Sequence, residues 1–288
     1  LYHTGRAPIE AAALGITGGP ADTVYRVNLV TIDHTGVMRD HSAGGISGAR
    51  ARTLFLAISQ AWADLGLLDG ATLVPGEGYR AALVDRSGRS IEGLRTQPPH
   101  EMLDDPVEGQ GPSGNAETAG WLRQLAEAAH GVLADHEVNA KRAAAGQGPA
   151  SDVWIWGQGG FPAMPAFDER FGLSGVMTTA VDLLAGIASL IGWERLEVPG
   201  LTGWHDPDYE AQGLACVDAI DRADIVCCHV EPPDEASHQG DTRTKVASIE
   251  AIDRWCVGPI LARLEQEPEW RLLVLPDHYT LCRTRKHD

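Results

Sequence analysis

Hydrophobic and polar positions in the first half of the chain predict two strands and a helix. Residues 24–32 and 79–84 combine β-branched or aliphatic residues with the alternation of a strand. Residues 48–67 place their large apolar side chains near one helical face, which indicates an amphipathic helix. The stretch 95–114 is rich in proline, glycine and acidic residues, so we interpret it as a linker and a domain boundary.

The second half of the chain alternates between strand and helix patterns. Alternation at this spacing is typical of an α/β domain with a mainly parallel sheet flanked by helices. The predicted strands are 152–156, 175–178, 224–229 and 271–275, and the predicted helices are 117–139, 180–191, 208–221 and 244–264.

Acidic and histidine side chains directly follow two of these predicted strands. In open α/β sheets, ligands bind beyond the carboxyl ends of the strands. A single helix separates the two strands, so a right-handed crossover could make them neighbours and bring these side chains together. The side chains are Asp234 and His238 after the first strand, Asp277 and His278 after the second, and the distal His287.

The types and spacing of these five side chains predict a centre for divalent cations. Asp234 and His238 are four positions apart, so one helical turn would place both on one face. A mixed nitrogen and oxygen set suits Mn²⁺, Zn²⁺ or Mg²⁺ better than a thiolate-binding metal. Two such ions held about 4 Å apart can activate a nucleophile and neutralise a phosphoryl group. Either Asp–His pair alone would more simply be turn residues or helix caps, but the complete set favours metal.

The net charge of the chain limits the classes of molecule that we expect it to bind. The formal net charge is −17 and the pI is about 5.0, so we expect neither nucleic acid nor an anionic membrane as a partner. An acidic protein that binds an anion needs local positive charge. Arg6, Arg26 and Arg80 are candidates for bidentate contacts to phosphate or carboxylate, and His100 could face a cleft from the linker. A solvated surface position is the alternative for each of them.

The cysteines indicate reduced thiols in a cytoplasmic protein. Their number is odd and no CxxC pair occurs, which does not fit a disulfide framework. We find neither a basic–apolar leader nor an apolar run that could span a bilayer. The chain starts at Leu1 and stops at Asp288 after a motif-rich stretch, so we expect it to be truncated at both ends.

Several segments resemble one known family. HVEPPDEASHQGD, followed by a helix and then by LPDH and the distal His287, resembles the archaeal-type cofactor-independent phosphoglycerate mutases of the alkaline phosphatase superfamily. HTGRAPIEAAALGI, YRVNLVTI, MRDHSAGGIS and VPGLTGWHDPDY resemble that family in the same order. The likeness therefore extends over nearly the whole chain.

The resemblance implies an alkaline phosphatase-like α/β domain with a mainly parallel sheet, interrupted by a smaller α+β domain that holds the substrate. Residues 1–20 would enter the phosphatase-like domain, and residues 21–100 would form the inserted domain. Residues 101–115 would be the linker, and residues 116–288 would be the incomplete metal-binding domain.

The resemblance also implies an activity and its cofactors. The family interconverts 3-phosphoglycerate and 2-phosphoglycerate, a step of glycolysis, through a phosphoserine intermediate. Two divalent ions would be needed, with Mn²⁺ favoured and Zn²⁺, Mg²⁺ or Co²⁺ as alternatives. By motif match, Asp234, His238 and His287 would hold one ion, and Asp277 and His278 would help to hold the other. The partner would be a small phosphorylated substrate, and the oligomeric state stays open.

Departures from the family pattern leave other functions open. In the family, a metal-binding Asp and the nucleophilic Ser lie upstream of the segment that matches HTGRAP, where this chain begins. Gly45 replaces an expected His, and Gln212 replaces an expected Lys. The alternatives are another phosphotransferase or phosphatase of the same superfamily, and a non-catalytic paralogue that binds metal without turnover.

We predict that the 288-residue polypeptide by itself does not convert 3-phosphoglycerate to 2-phosphoglycerate, because the resemblance places its nucleophile upstream. A coupled assay with added Mn²⁺ would measure this, with a full-length family member run in parallel as the positive control. Measurable conversion by the polypeptide alone would contradict the prediction.

Overall fold

The computed structural model describes residues 5–203 and 207–287. It divides into two compact units, Leu1–Ala163 and Met164–Asp288, which we call unit 1 and unit 2. Both units mix helices and strands, which confirms the predicted α/β class at this level. No helix among the described residues is both long enough and apolar enough to cross a membrane.

Unit 1 is built on an antiparallel sheet in which the longest strand is central. That strand, β1, pairs with β4 along one edge and with β5 along the other, while β3 extends the sheet beyond β4 and the short β2 pairs with the end of β1. The strands are β1 Thr23–Ile32, β2 Met38–Asp40, β3 Ala71–Pro75, β4 Arg80–Asp85 and β5 Asp152–Gly160. The helices are α1 Arg6–Ala13, α2 Gly48–Asp64, α3 Ala116–Ala134 and α4 Glu137–Ala144, with a 3₁₀ turn at Pro99–Glu101.

Helices cover both faces of this sheet. The apolar stripes of α2 and α3 pack in one large core with β1 residues such as Tyr25 and Val27. Trp62 of α2 is fully buried there, and its indole nitrogen donates to the Leu125 carbonyl at 2.8 Å, so its polar atom is satisfied. On the opposite face, α1 packs against Val24 and its neighbours on β4. Successive residues of a strand point to opposite faces, so Arg26 shares the α1 face with Val24.

The boundary between the units differs from the domain division expected from the sequence. Residues 116–163 were assigned to the metal-binding domain, but they lie in unit 1 with the sheet of the expected inserted domain. Strand β5 pairs with β1 from Val30 to Thr23, and α3 packs in the same core. The backbone bonds of a long central strand therefore hold this segment, although more than a hundred residues separate the two strands in sequence.

Unit 2 contains a parallel sheet of three short strands in the order β7-β6-β8 and a separate antiparallel pair, β9–β10. The strands are β6 Gly175–Thr178, β7 Glu194–Arg195, β8 Ile225–Cys228, β9 Thr280–Leu281 and β10 Lys286–His287. The helices are α5 Phe167–Phe171, α6 Asp182–Leu190, α7 Tyr209–Ala219, α8 Pro232–His238, α9 Thr242–Ile252 and α10 Gly258–Leu264, with a π-helical turn at Asp253–Val257 joining α9 to α10.

The prediction of a strand at residues 271–275 is wrong in this structure. The segment has no regular structure, and Leu273, Val274 and Leu275 are each more than 60% exposed. A strand is stabilised by backbone bonds to a neighbouring strand. Within the described part of the chain, β8 pairs with β6 alone, and the apolar run 271–275 does not join its free edge.

Two predicted helices differ in detail. The helix expected over 117–139 is divided, because α3 ends at Ala134 and the His136 imidazole accepts a bond from Val138 N to cap α4. The helix expected over 244–264 is continuous but passes through the π-helical turn.

Candidate metal and anion sites

Five side chains that can carry positive charge come together in unit 1, and we call them the basic cluster. They are brought in by separate elements, which is why the sequence shows them only as isolated residues. Arg6 opens α1, Arg26 lies in the middle of β1, His41 follows β2, Arg80 opens β4, and His100 lies in the 3₁₀ turn. The four residues proposed from the sequence are therefore joined by His41, which lies in the segment MRDHSAGGIS.

Arg26 is the buried centre of the basic cluster, with 7% of its surface exposed. The Glu10 carboxylate accepts from Arg26 Nε at 2.9 Å and from Arg6 Nε at 2.6 Å. The Arg26 guanidinium carbon also lies 4.4 Å from the centroid of the Trp156 ring. Burial lowers the pKa of Arg26 to about 10, the Glu10 carboxylate opposes this shift, and the nearby charges of Arg6 and Arg80 add to it.

Imidazole and aromatic rings line the rest of the basic cluster. The His41 ring lies 5.9 Å from the Tyr79 ring and 6.2 Å from the His100 ring, and His100 lies 5.5 Å from Trp156. Burial lowers the pKa of both His41 and His100. Arg80 stacks over Tyr79 at 4.8 Å and donates to its hydroxyl at 3.1 Å. Because two guanidiniums share the single carboxylate of Glu10, the cluster keeps a positive charge that suits an anion.

A second group lies in unit 2, and we call Asp234, His238, His278 and His287 the His–Asp cluster. One carboxylate oxygen of Asp234 and one ring nitrogen each of His278 and His287 lie within 4.8 Å of one another. His238 Nε2 lies 3.1 Å from Asp234 Oδ2 and 3.1 Å from His287 Nε2. Asp234 and His238 share one face of α8, as their four-residue spacing predicts.

The tautomer of His238 follows from its partners. Its Nδ1 lies 3.0 Å from the carbonyl oxygen of Arg285, which can only accept a hydrogen bond. Nδ1 therefore carries the proton, and in the neutral ring Nε2 presents a lone pair towards Asp234 and His287. A backbone carbonyl that fixes the ring in this way is the usual partner of a metal-binding histidine.

Polar contacts hold the antiparallel pair β9–β10 against α8. The Thr280 hydroxyl donates to Asp234 Oδ1, and the Thr280 carbonyl accepts from Lys245 Nζ at 2.8 Å. Gly240, which follows α8, has a φ of +74°, and a Cβ there would lie 2.9 Å from Arg285 Nε. A larger residue at 240 would therefore strain the backbone and displace the Arg285 side chain.

The structure groups the predicted ligands differently from the assignment that the resemblance implies. His278 lies beside His287, with ring centroids 3.9 Å apart, and so joins the same cluster as Asp234 and His238. Asp277 instead contacts its own neighbour, because its Oδ2 lies 3.0 Å from His278 Nε2. Four of the five residues are thus together, while Asp277 lies at the margin and is 68% exposed at its side chain.

Two residues near this cluster were not selected from the sequence. His229 follows β8, with Nδ1 3.1 Å from the Thr179 hydroxyl and Nε2 3.4 Å from a Glu231 oxygen. Burial lowers the pKa of His229. Burial, together with the negative charges of Asp234, Glu235 and Asp277, raises the pKa of Glu231 to about 7. Their position directly after a strand was the signal that could have identified them.

Comparison with known proteins gives a consistent result. A family model described as 2,3-bisphosphoglycerate-independent phosphoglycerate mutase matches residues 1–139. A relative from Methanothermobacter thermautotrophicus, named 2,3-bisphosphoglycerate-independent phosphoglycerate mutase 2, is 41% identical over 286 residues. That match covers 99% of this chain and 69% of the relative, so the chain spans about seven-tenths of the relative's length.

Two solved structures share the fold. A protein from Pyrococcus horikoshii superposes with a TM-score of 0.72 at 21% identity, over 99% of this chain and 66% of its own. The cofactor-independent phosphoglycerate mutase from Thermoplasma acidophilum superposes with a TM-score of 0.55 at 26% identity, over 92% of this chain and 67% of its own.

We predict that Glu231→Gln stabilises the metal-free protein at pH 8 by about 2 kcal/mol and has little effect near pH 4.5. The wild-type carboxyl has a raised pKa of about 7, so the folded state opposes its ionisation. The penalty is absent below the unfolded pKa and fully present above pH 7. Urea unfolding in chelator at several pH values would measure the difference, with the exposed Glu265→Gln as control. An equal effect at both pH values would contradict the prediction.

Proposed function

The chain belongs to the 2,3-bisphosphoglycerate-independent phosphoglycerate mutase family, and on that basis we propose that it supplies substrate- and metal-binding parts of an enzyme that interconverts 3-phosphoglycerate and 2-phosphoglycerate. The observation that carries the proposal is the convergence of Asp234, His238, His278 and His287 in unit 2 of a chain with this ancestry. Phosphoryl transfer of this kind is a step of glycolysis.

The basic cluster is the proposed site for the anionic groups of the substrate. Phosphoglycerate carries a phosphate and a carboxylate, and planar guanidiniums bind both groups through paired hydrogen bonds. Arg26 is held in place by Glu10 and Trp156, so its side-chain order is established before a ligand binds. Arg6, which is about half exposed, offers a guanidinium that a ligand can reach. His41 and His100, neutral near pH 7, supply hydrogen bonds to hydroxyl or phosphoryl oxygens.

The His–Asp cluster is the proposed metal centre. Its imidazole and carboxylate donors suit Mn²⁺, with Zn²⁺, Mg²⁺ or Co²⁺ as alternatives. The ring nitrogens of His238 and His287 lie only 3.1 Å apart, next to a carboxylate. A shared cation would stabilise this arrangement. A bound divalent ion would neutralise phosphoryl oxygens and favour ionisation of an attacking hydroxyl. Asp277 would contribute to a second ion only after separating from His278.

Protein groups around the metal centre have positioning roles in this proposal. Thr280 orients the Asp234 carboxylate, and Arg285 fixes the tautomer of His238 through its carbonyl group. Glu231, with its raised pKa, can accept or release a proton near neutral pH. The reaction in this proposal passes through the phosphoserine intermediate that the resemblance implies.

At the level of the fold, we propose that the parallel sheet β7-β6-β8 belongs to an alkaline phosphatase-like domain. The short parallel strands and the placement of the His–Asp cluster after β8 support this assignment. The antiparallel sheet of unit 1 would be the substrate-holding inserted domain, extended beyond residue 100 by α3, α4 and β5.

We predict that Arg26→Gln and Arg80→Gln each weaken binding of 3-phosphoglycerate by about 10- to 100-fold, since each removes charge-assisted hydrogen bonds worth about 1.5–3 kcal/mol. Isothermal titration calorimetry would measure the affinity. Arg39→Gln is the matched control, because Arg39 also makes ion pairs in unit 1 but lies on the surface with Asp33 and Asp104. Circular dichroism would check that the variants fold. Unchanged affinity in both folded variants would remove the basic cluster from the substrate site.

We predict that His287→Ala and His238→Gln each lower the affinity for Mn²⁺ at least about 10-fold, because each removes one ring nitrogen from the proposed centre. Electron paramagnetic resonance would measure free and bound Mn²⁺ directly, without any assay of turnover. His130→Ala is the control, since His130 pairs with Asp152 in unit 1. Equal Mn²⁺ affinity in all four proteins would show that the His–Asp cluster is not the metal centre.

A further inference from the structure

Three of the five cysteines meet in unit 2, away from the groups assigned to the proposed function. The Cys228 thiol lies within hydrogen-bonding reach of the thiols of Cys216 and Cys256 and of the Thr178 hydroxyl. We call these three residues the thiol trio. They come from β8, α7 and the π-helical turn, so their sequence positions gave no sign of the contact.

Independent contacts fix the geometry of the thiol trio. Thr178 of β6 pairs in register with Cys228 of β8, and the Thr178 hydroxyl lies 3.8 Å from Cys216 Sγ. Cys256 donates from Sγ to the Tyr209 carbonyl at 3.3 Å. The side-chain amide of Gln212 donates to Oγ1 of the same Thr178 hydroxyl at 3.0 Å.

Close approach of α7 to the π-helical turn brings Cys216 and Cys256 to the same place. A Cβ on Gly213 would lie 2.1 Å from the Trp255 carbonyl oxygen and 3.0 Å from the Cα of Cys256. Only glycine fits at that contact, so the two buried cysteines are held near Cys228 by backbone packing. π-helical turns within α-helices are frequent at functional sites.

The exposure of the three thiols differs in a way that orders their reactivity. Cys216 and Cys256 are 0% and 2% exposed, whereas Cys228 is partly exposed. Cys228 is therefore the thiol that a small oxidant in solution can reach. A hydrogen bond donated by Cys216 also lowers the pKa of the Cys228 thiol, which favours the reactive thiolate.

We propose that Cys228 is an oxidation site, and that it forms a reversible disulfide with one of its two buried neighbours, Cys216 or Cys256. The site lies at the carboxyl end of β8, one residue before His229. A peroxide is the class of oxidant, and a dithiol restores the reduced form.

The reaction balances in two steps. The Cys228 sulfur attacks one peroxide oxygen, so an S–O bond forms and the O–O bond breaks. This step gives a sulfenic acid, and the other peroxide oxygen leaves as water with the thiol proton. A neighbouring thiol then attacks the Cys228 sulfur, an S–S bond forms, and the S–O bond breaks to release a second water. Two thiols have lost two electrons and two protons, and the peroxide has gained them.

Cys227 provides a matched control. It precedes Cys228 in the same strand, and successive strand residues point to opposite faces of the sheet. Burial raises the pKa of the Cys227 thiol, and none of the hydrogen bonds of the thiol trio includes it. Cys227→Ser therefore makes the same chemical change at the neighbouring position without touching the thiol trio.

The experiment treats the folded 288-residue protein with limiting hydrogen peroxide, blocks the remaining thiols by alkylation, and maps disulfides by mass spectrometry. We expect a cross-linked peptide that joins Cys228 to Cys216 or Cys256 and disappears after dithiothreitol. Cys228→Ser should abolish the cross-link, and Cys227→Ser should retain it. Prior unfolding in urea should spread the cross-links to Cys227 and Cys282.

The proposal is overturned by any of three results in the folded wild-type protein: no cross-link, a cross-link that joins Cys227 or Cys282 instead, or a distribution equal to that in urea. Because these results come from the wild-type chain, a Cys228 variant that fails to fold does not affect the test. Turnover is not measured, so the outcome is also independent of the proposed mutase activity.

Discussion

Titratable side chains are crowded together in both units, and this crowding is the constraint on which the surrounding structure depends. In unit 1, two guanidiniums share the single carboxylate of Glu10, and burial of Arg26 makes that crowding costly. In unit 2, two imidazole nitrogens lie 3.1 Å apart beside a carboxylate. Crowded titratable groups of this kind cluster at functional sites in proteins. This crowding is the reason why we propose each group as a binding site.

The scaffold fixes these groups through rigid contacts. The long strand β1 carries Arg26 between two helical layers, and its pairing with β5 places Trp156 against the guanidinium. In unit 2 the positions are set by a short helix and an antiparallel pair of two-residue strands, joined by the hydrogen bond from Thr280 to Asp234. The first site rests on a large core, whereas the second rests on a few polar contacts.

The same organisation explains why the cysteines form a separate feature. Residues after the carboxyl end of β8 supply His229 and, from the His–Asp cluster, Asp234 and His238, while Cys228 at that end faces α7 and the π-helical turn. The candidate metal ligands and Cys228 are therefore close in sequence but have different surroundings. The surroundings of the thiols depend on Gly213, since a side chain there would separate α7 from the π-helical turn.

The sequence alone determined the mixed α/β class, most of the helices and strands, and most of the candidate site residues. These follow from local periodicity, and from side-chain types such as Asp234 and His238 at helical spacing, which depend on neighbours in the chain. Family membership was also available from the sequence, because it rests on motifs in a fixed order.

Only the tertiary structure decided which distant residues meet. Pairing of β5 with β1 moved the boundary of the first unit to residue 163, and the apolar run 271–275 lies outside the described sheets. The addition of His41 to the basic cluster and of His278 to the His–Asp cluster likewise depends on contacts between remote segments. Periodicity reports which face of an element is apolar, but backbone pairing and close packing between elements determine what that face contacts.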